Sequence, residues 1–318
     1  MMNYSVRNRR PIMDIQDTYT LRGICMLMII IHHVFKQYPN SPDSIMRWGY
    51  LGVAVFFVIS GWGMYCSMER QEDLTWSYFA KQMKKLLIPY VIIWPIAEIF
   101  YCVQHIDYLS DRGLLRDFIT LTFPPYPALW FFKVIVAAYV LSIGTFILIK
   151  SKITRLVIIS LFSIIYYILA WKVVHLPMWW WGTSLCIVAG MWMAAYKEKL
   201  EFLFNNYKYI LLIGFVIAYF ITLHHNFLHI LPSRTVHSFI FAIAMLSAVS
   251  VFNIVNPISN YIGKNSLLFY LFHISICELL TPPIFESLRY GWVALVFVLI
   301  ITTILTISYN RFKIKLQK

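Results

Sequence analysis

Seven ionisable side chains fall inside long apolar stretches of this 318-residue chain: Arg22, His32, His33, Glu98, Lys133, His273 and Glu278. A charge at membrane depth is costly, so each of these positions is a functional candidate by default. Their chemistries complement one another. Imidazole carries one donor and one acceptor nitrogen, so near neutral pH it can accept a proton or act as a nucleophile. A carboxylate can orient such a ring, and an arginine or lysine can hold an anion or stabilise a developing oxyanion.

Spacing narrows the set. Arg22 and His33 are eleven positions apart, which on a helix is about three turns plus roughly 20°, so both face one way about 16 Å apart along the axis. His32 is turned by about 100° and points towards a neighbouring helix or the lipid. Counted back from the outer ends of their segments, His33, Glu98, Lys133 and Glu278 fall within a layer about one turn thick and could converge on one polar pocket. His273 lies one to two turns deeper than Glu278 and about 140° round the same helix. Each residue also has a plain structural alternative. Arg22 can anchor topology, Lys133 can snorkel beside Trp130, and the histidines and carboxylates can bond to neighbouring helices.

The elements that must position these groups are transmembrane helices. Sixty per cent of the residues are hydrophobic and only 13% charged, far from the balance of a soluble domain. An apolar run of about 20 residues spans a bilayer core, and ten candidates occur, near 21–37, 48–66, 85–103, 129–149, 153–171, 178–196, 207–224, 234–253, 263–280 and 290–309. The fold class is therefore all-α and polytopic, a single integral-membrane domain over 1–318 with no appended soluble domain. With the N-terminus inside, eighteen Lys and Arg fall in the inner segments and seven in the outer ones, which puts both termini in the cytoplasm. The excess of +13 then sets topology and meets membrane lipids, not nucleic acid. No small-residue cleavage site follows His32 and His33, so the first segment reads as a mature helix.

Other features read as structure. The five cysteines form no CxxC pair, and Gly49, Gly52, Ser60, Gly61 and Gly63 suit close helix packing. The MWWWG run at 178–182 resembles an interfacial tryptophan belt. His225 and His229 have helical spacing but lack the glutamate of a zinc helix, so no metal is expected. The outer connections at 104–128 and 224–233 are natural places for an extracytoplasmic substrate.

Five ordered motifs carry a resemblance. They are RGICMLMIIIHH (22–33), GYLGVAVFFVISGW (49–62), KKLLIPY (84–90), LWFFKVIVAAY (129–139) and YIGKNSLLFYLFH (261–273). Together they resemble acyltransferase family 3, integral-membrane O-acyltransferases that modify bacterial surface polysaccharides. The resemblance implies transfer of an acyl group, usually acetyl, from cytoplasmic acetyl-CoA or another acyl-CoA to a sugar hydroxyl. It implies a co-substrate and no permanently bound cofactor, a polysaccharide or glycolipid acceptor, and a multi-pass position in a bacterial inner or plasma membrane. Three departures stand out: the histidine is doubled, lysines 81, 84 and 85 replace arginines found in some members, and the frequent esterase-like extension is missing.

Under that resemblance, His33 is the general base or the acyl-carrying nucleophile. Glu98 or Glu278 orients the imidazole, Lys133 stabilises oxyanion charge, and His273 joins the substrate-binding set. Arg22 with Lys84 and Lys85 neutralises the donor phosphates, and the extended arm of the donor covers the distance from Arg22 to His33. The competing class is a transporter or flippase for a glycan or small acid. Transporters often show two similar halves, and no counterpart of the Arg22 to His33 pattern occurs near the sixth segment.

Overall fold

A computed structural model describes residues 13–38, 41–71, 75–104, 129–224, 233–252, 254–285 and 291–316. Regular structure among them is entirely helical. Among the described residues eleven α-helices are found: α1 Ile15–Phe35, α2 Asp43–Glu69, α3 Trp76–Gln104, α4 Trp130–Leu148, α5 Lys152–Ile168, α6 Leu185–Ala195, α7 Lys197–His224, α8 Ser233–Phe252, α9 Pro257–Lys264, α10 Ser266–Phe285 and α11 Gly291–Leu316. Both connections singled out as substrate loops, with His225 and His229, lie outside the described residues apart from positions 104, 224 and 233.

Seven of these helices, α1, α2, α4, α5, α7, α8 and α11, are long and apolar enough to cross a bilayer, each at a place where the hydropathy pattern predicts a span. Their outward side chains are apolar too. Leu161, Phe162, Ile164 and Ile165 of α5 and Ile210, Ile213, Ile217 and Phe220 of α7 are exposed, which only a lipid environment makes inexpensive. The protein is a multi-pass membrane protein.

The predicted span at 178–196 is built differently. A π turn at Leu169–Val173 extends α5, His175 adopts a left-handed φ of 54°, and Met178–Trp180 form a 3-10 turn after Pro177. The remaining helix α6 has 11 residues, about 16 Å, which is short for a core of about 30 Å. The tryptophans divide accordingly. Trp179 is exposed, as an interfacial residue should be, but Trp181 is buried against Tyr167 and stacks on Trp171 at 5.5 Å. Its indole N–H donates to the Leu176 carbonyl at 3.0 Å, so it is a packing residue of this re-entering segment.

The chain forms two compact units, and the division falls inside α1, α2 and α4. The first comprises Met1–Cys25, Tyr50–Thr75 and Ala137–Lys264. Within it α7 packs along α8 and α5 along α6. A Cβ on Gly61 would collide with the Ile187 carbonyl, and one on Gly190 with the Val58 carbonyl, so α2 and α6 cross where neither has a side chain. The glycine reading of α2 holds at Gly61.

The second unit comprises Met26–Gly49, Trp76–Val136 and Asn265–Lys318. Here α10 packs on both α3 and α11, and the Asn310 amide donates to Asn265 Oδ1 at 2.9 Å. Two prolines, Pro89 and Pro95, lie inside α3, where each removes a backbone donor from the ladder.

Candidate active site

The second unit gathers the histidines. The rings of His33 on α1 and His273 on α10 have centroids 5.3 Å apart at an angle of 59°. This separation lets facing ring nitrogens come within hydrogen-bond reach. His33 is half-buried and His273 completely buried. His273 Nδ1 lies 2.8 Å from the carbonyl oxygen of Phe269, one turn earlier on α10. A carbonyl only accepts, so Nδ1 carries the proton and Nε2 keeps its lone pair. That Nε2 is buried and has no hydrogen-bond partner among the described residues.

Aromatic contacts hold this pair in place. Tyr270 lies 5.8 Å from His273 and 5.1 Å from Phe131, which ties α10 to the start of α4. Phe132 stacks on Tyr90 of α3 at 5.5 Å. Ring contacts thus tie His273 through Tyr270 to α4, and α4 in turn to α3.

His32 has a defined place. Its ring packs edge-on against His33 at 5.2 Å and fills the space where a side chain on Gly49 would stand. A Cβ there would be 2.5 Å from His32 Cδ2. The first glycine of the GYLGV motif is the seat of the first histidine, and His32 wedges α1 against the start of α2.

Glu98 is buried on α3 and Lys133 half-buried on α4, both in this unit. Glu278 lies on α10, one turn and a residue beyond His273, and its side chain is outside the described residues. Lys84 and Lys85 are exposed on α3. Depth counting had set His273 below the layer of His33, whereas the structure brings these two rings together.

Three further polar groups of this unit carry no signal in the sequence. The Tyr38 hydroxyl, just beyond α1, is buried without a partner among the described residues. Burial, with Cys277 nearby, raises the pKa of this phenol, so it stays a neutral donor. On α11 the hydroxyls of Thr302 and Thr306 are completely buried one turn apart, again without partners among the described residues. Threonines in membrane helices usually bond back to their own helix, so type and spacing alone do not mark these two.

Arg22 belongs to the first unit. Its Nη2 lies 3.8 Å from where a Cβ on Gly63 would stand, and its buried Nε has no hydrogen-bond partner among the described residues. A side chain at Gly63 would meet the guanidinium at ordinary van der Waals distance. The same unit buries a further histidine, His237 of α8, against the Tyr219 ring at 4.3 Å with Thr222 Oγ1 3.3 Å from Nδ1. It serves the α7 to α8 packing. No group of three or more potential metal ligands occurs among the described residues.

The described residues thus form an all-helical membrane protein whose second unit brings three imidazoles, His32, His33 and His273, into ring contact. A family model described as an acyltransferase domain matches residues 20–311, nearly the whole chain, and the chain belongs to this family of membrane acyltransferases. Curated proteins and solved structures returned no match.

Proposed function

We propose that the protein moves an acyl group, most simply acetyl, from cytoplasmic acyl-CoA to a hydroxyl of an extracytoplasmic or lipid-linked cell-surface polysaccharide. The observation that carries this reading is the His33 and His273 pair, with the second ring held in one tautomer by the Phe269 carbonyl. The topology that goes with it has both termini in the cytoplasm of a bacterial cell, in keeping with the excess of basic residues in the inner segments.

His33 takes the proton of the acceptor hydroxyl, whose oxygen attacks the thioester carbonyl; the C–S bond breaks, and the proton passes to the departing thiolate. His273 Nε2, an acceptor, can receive the N–H of the neighbouring imidazole and so fix which His33 nitrogen keeps a lone pair. Capture of the acyl group on His33 before its transfer uses the same two rings. Glu98 and Glu278 are the carboxylates available to orient the pair, and Lys133 is the cation available to the developing oxyanion.

The donor reaches His33 from Arg22. One unbroken helix carries both, eleven residues apart, a rise of about 16 Å that suits an extended pantetheine arm. The amides of that arm need polar partners inside the bilayer, and the Thr302 and Thr306 hydroxyls are of the right kind. Lys84 and Lys85 contribute charge at the cytoplasmic approach, and the Tyr38 hydroxyl, just beyond the end of α1 opposite Arg22, is available as a donor to an acceptor.

The test compares surface glycans of wild-type and deletion strains by mass spectrometry. Loss of a mass equal to one acyl group from a defined glycan is expected and names the group. Identical glycans in both strains, with altered export of a glycan or small acid, would establish the transporter reading instead.

A further inference from the structure

In the first unit a cleft of about 480 Å³ opens among the end of α2, the start of α5 and the junction of α6 with α7. Its wall carries four cations, Arg70, Lys152, Lys197 and Lys199, against two carboxylates, Glu69 and Glu198. One carboxylate is already occupied, because the Tyr65 hydroxyl donates to Glu69 Oε1 at 3.1 Å. The volume is that of an ordinary small-molecule site, and a surplus of ammonium and guanidinium groups around a concavity selects phosphate.

Tyr196 is the aromatic side chain of its wall. Tyr196 stacks parallel to Trp192 with centroids 6.0 Å apart, and the Trp192 indole N–H donates to Ser160 Oγ at 2.9 Å. The Lys152 and Lys199 ammonium groups each lie 5.6 Å from the centre of the Tyr196 ring. Lys152 also donates to the last carbonyl of α6, at Ala195, which fixes its head at the mouth of the cleft and leaves it protons to offer. Gly63, Cys66 and Arg70 recur at helical spacing at the end of α2 and the residue that follows it; the last two line the cleft, and Arg22 Nη2 lies 3.8 Å from where a Cβ on Gly63 would stand. A surface for a lipid headgroup needs cations but no aromatic ring set among them.

We propose that this cleft binds the phosphorylated adenosine end of the acyl donor, with Lys152, Lys197, Lys199 and Arg70 on its phosphates and Tyr196 against its base, leaving Arg22 for the diphosphate that enters the helix bundle. This use of the cleft presupposes an acyl-CoA donor. It moves the principal phosphate contacts from Lys84 and Lys85 to the first unit.

Cys66 supplies the readout. It lines the cleft and is partly accessible, whereas Cys25, Cys102, Cys186 and Cys277 are buried. Full-length protein in phosphatidylcholine nanodiscs is treated with a charged thiol reagent, with and without adenosine 3′,5′-bisphosphate, which has the nucleotide phosphates but no acyl arm. At about ten times its Kd the bisphosphate should slow Cys66 labelling about tenfold. Lys197→Gln and Lys199→Gln should each weaken this protection on the order of tenfold, and Lys199→Arg should restore it. Protection should persist in His33→Ala protein, where transfer is lost, which separates the cleft from the chemistry. Absence of protection in protein that still transfers from acyl-CoA would overturn the cleft and leave the acyltransferase reading intact. Equal protection by phosphatidylglycerol nanodiscs without nucleotide would overturn it in favour of a lipid headgroup.

Discussion

Replacing Gly49 with alanine adds a single methyl group outside the chemistry and should nevertheless cripple transfer. The new Cβ would stand 2.5 Å from His32 Cδ2 and 2.6 Å from Cγ. Carbon atoms pack at about 3.5–4.0 Å, so the ring must retreat by roughly 1 Å. His33 packs edge-on against it at 5.2 Å on the same helix turn, so the displacement passes to the His33 ring. A misplacement of about 1 Å costs on the order of a hundredfold in rate, while overpacking of this kind costs about 1–3 kcal/mol in stability. The assay is the initial rate of transfer from labelled acyl-CoA in reconstituted vesicles, with thermal unfolding followed in parallel. The double variant Gly49→Ala with His32→Ala removes the clash and should regain the rate of His32→Ala alone, a coupling of the kind double-mutant cycles isolate. A Gly49→Ala rate within about threefold of wild type, or a double variant no faster than Gly49→Ala, would refute the wedge role of His32.

Three other expectations follow from the same geometry. Arg22→Ala should raise the KM for acyl-CoA about ten- to a hundredfold by loss of a charge-assisted hydrogen bond, with little change in kcat; an unchanged KM would remove Arg22 from the donor path. Tyr38→Phe should raise the acceptor KM about five- to tenfold. Because burial raises the Tyr38 pKa above its ordinary value, the phenol keeps its proton in mildly alkaline solution, and the wild-type acceptor KM should stay flat from about pH 7 to about pH 9. A KM that climbs between pH 8 and 9 would contradict this. Gly190→Ala drives a methyl into the Val58 carbonyl, which as backbone cannot swing aside, and should lower stability by about 3 kcal/mol in a melting assay; a neutral result would mean that α2 and α6 separate without cost.

How much of this was legible beforehand varies with the physics involved. Seven spans follow from hydropathy because lipid demands a continuous apolar stretch, and the structure has helices there. The stretch at 178–196 satisfied the same count, but its backbone is governed by Pro177, the left-handed His175 and the burial of Trp181, none of which a hydropathy average can see. The Arg22 to His33 spacing was readable because it depends on a single helix. His273 was misjudged in depth because counting from segment ends assumes that all helices end at one level, whereas α10 runs on for twelve residues beyond His273 and α1 for only two beyond His33. His32 resisted interpretation since its partner is a glycine on another helix, and Tyr38 was passed over because it lies beyond the apolar run. Contacts between helices depend on tilt and rotation, and the sequence of one helix does not carry them.

The most direct measurement is transfer of labelled acetyl from acetyl-CoA to the surface glycan by purified, reconstituted wild-type and His33→Ala proteins, with folding of both checked by unfolding curves. Wild-type protein should acylate the glycan, and His33→Ala should be correctly folded and inactive. A folded His33→Ala protein that acylates the glycan at the wild-type rate would contradict catalysis at this histidine pair.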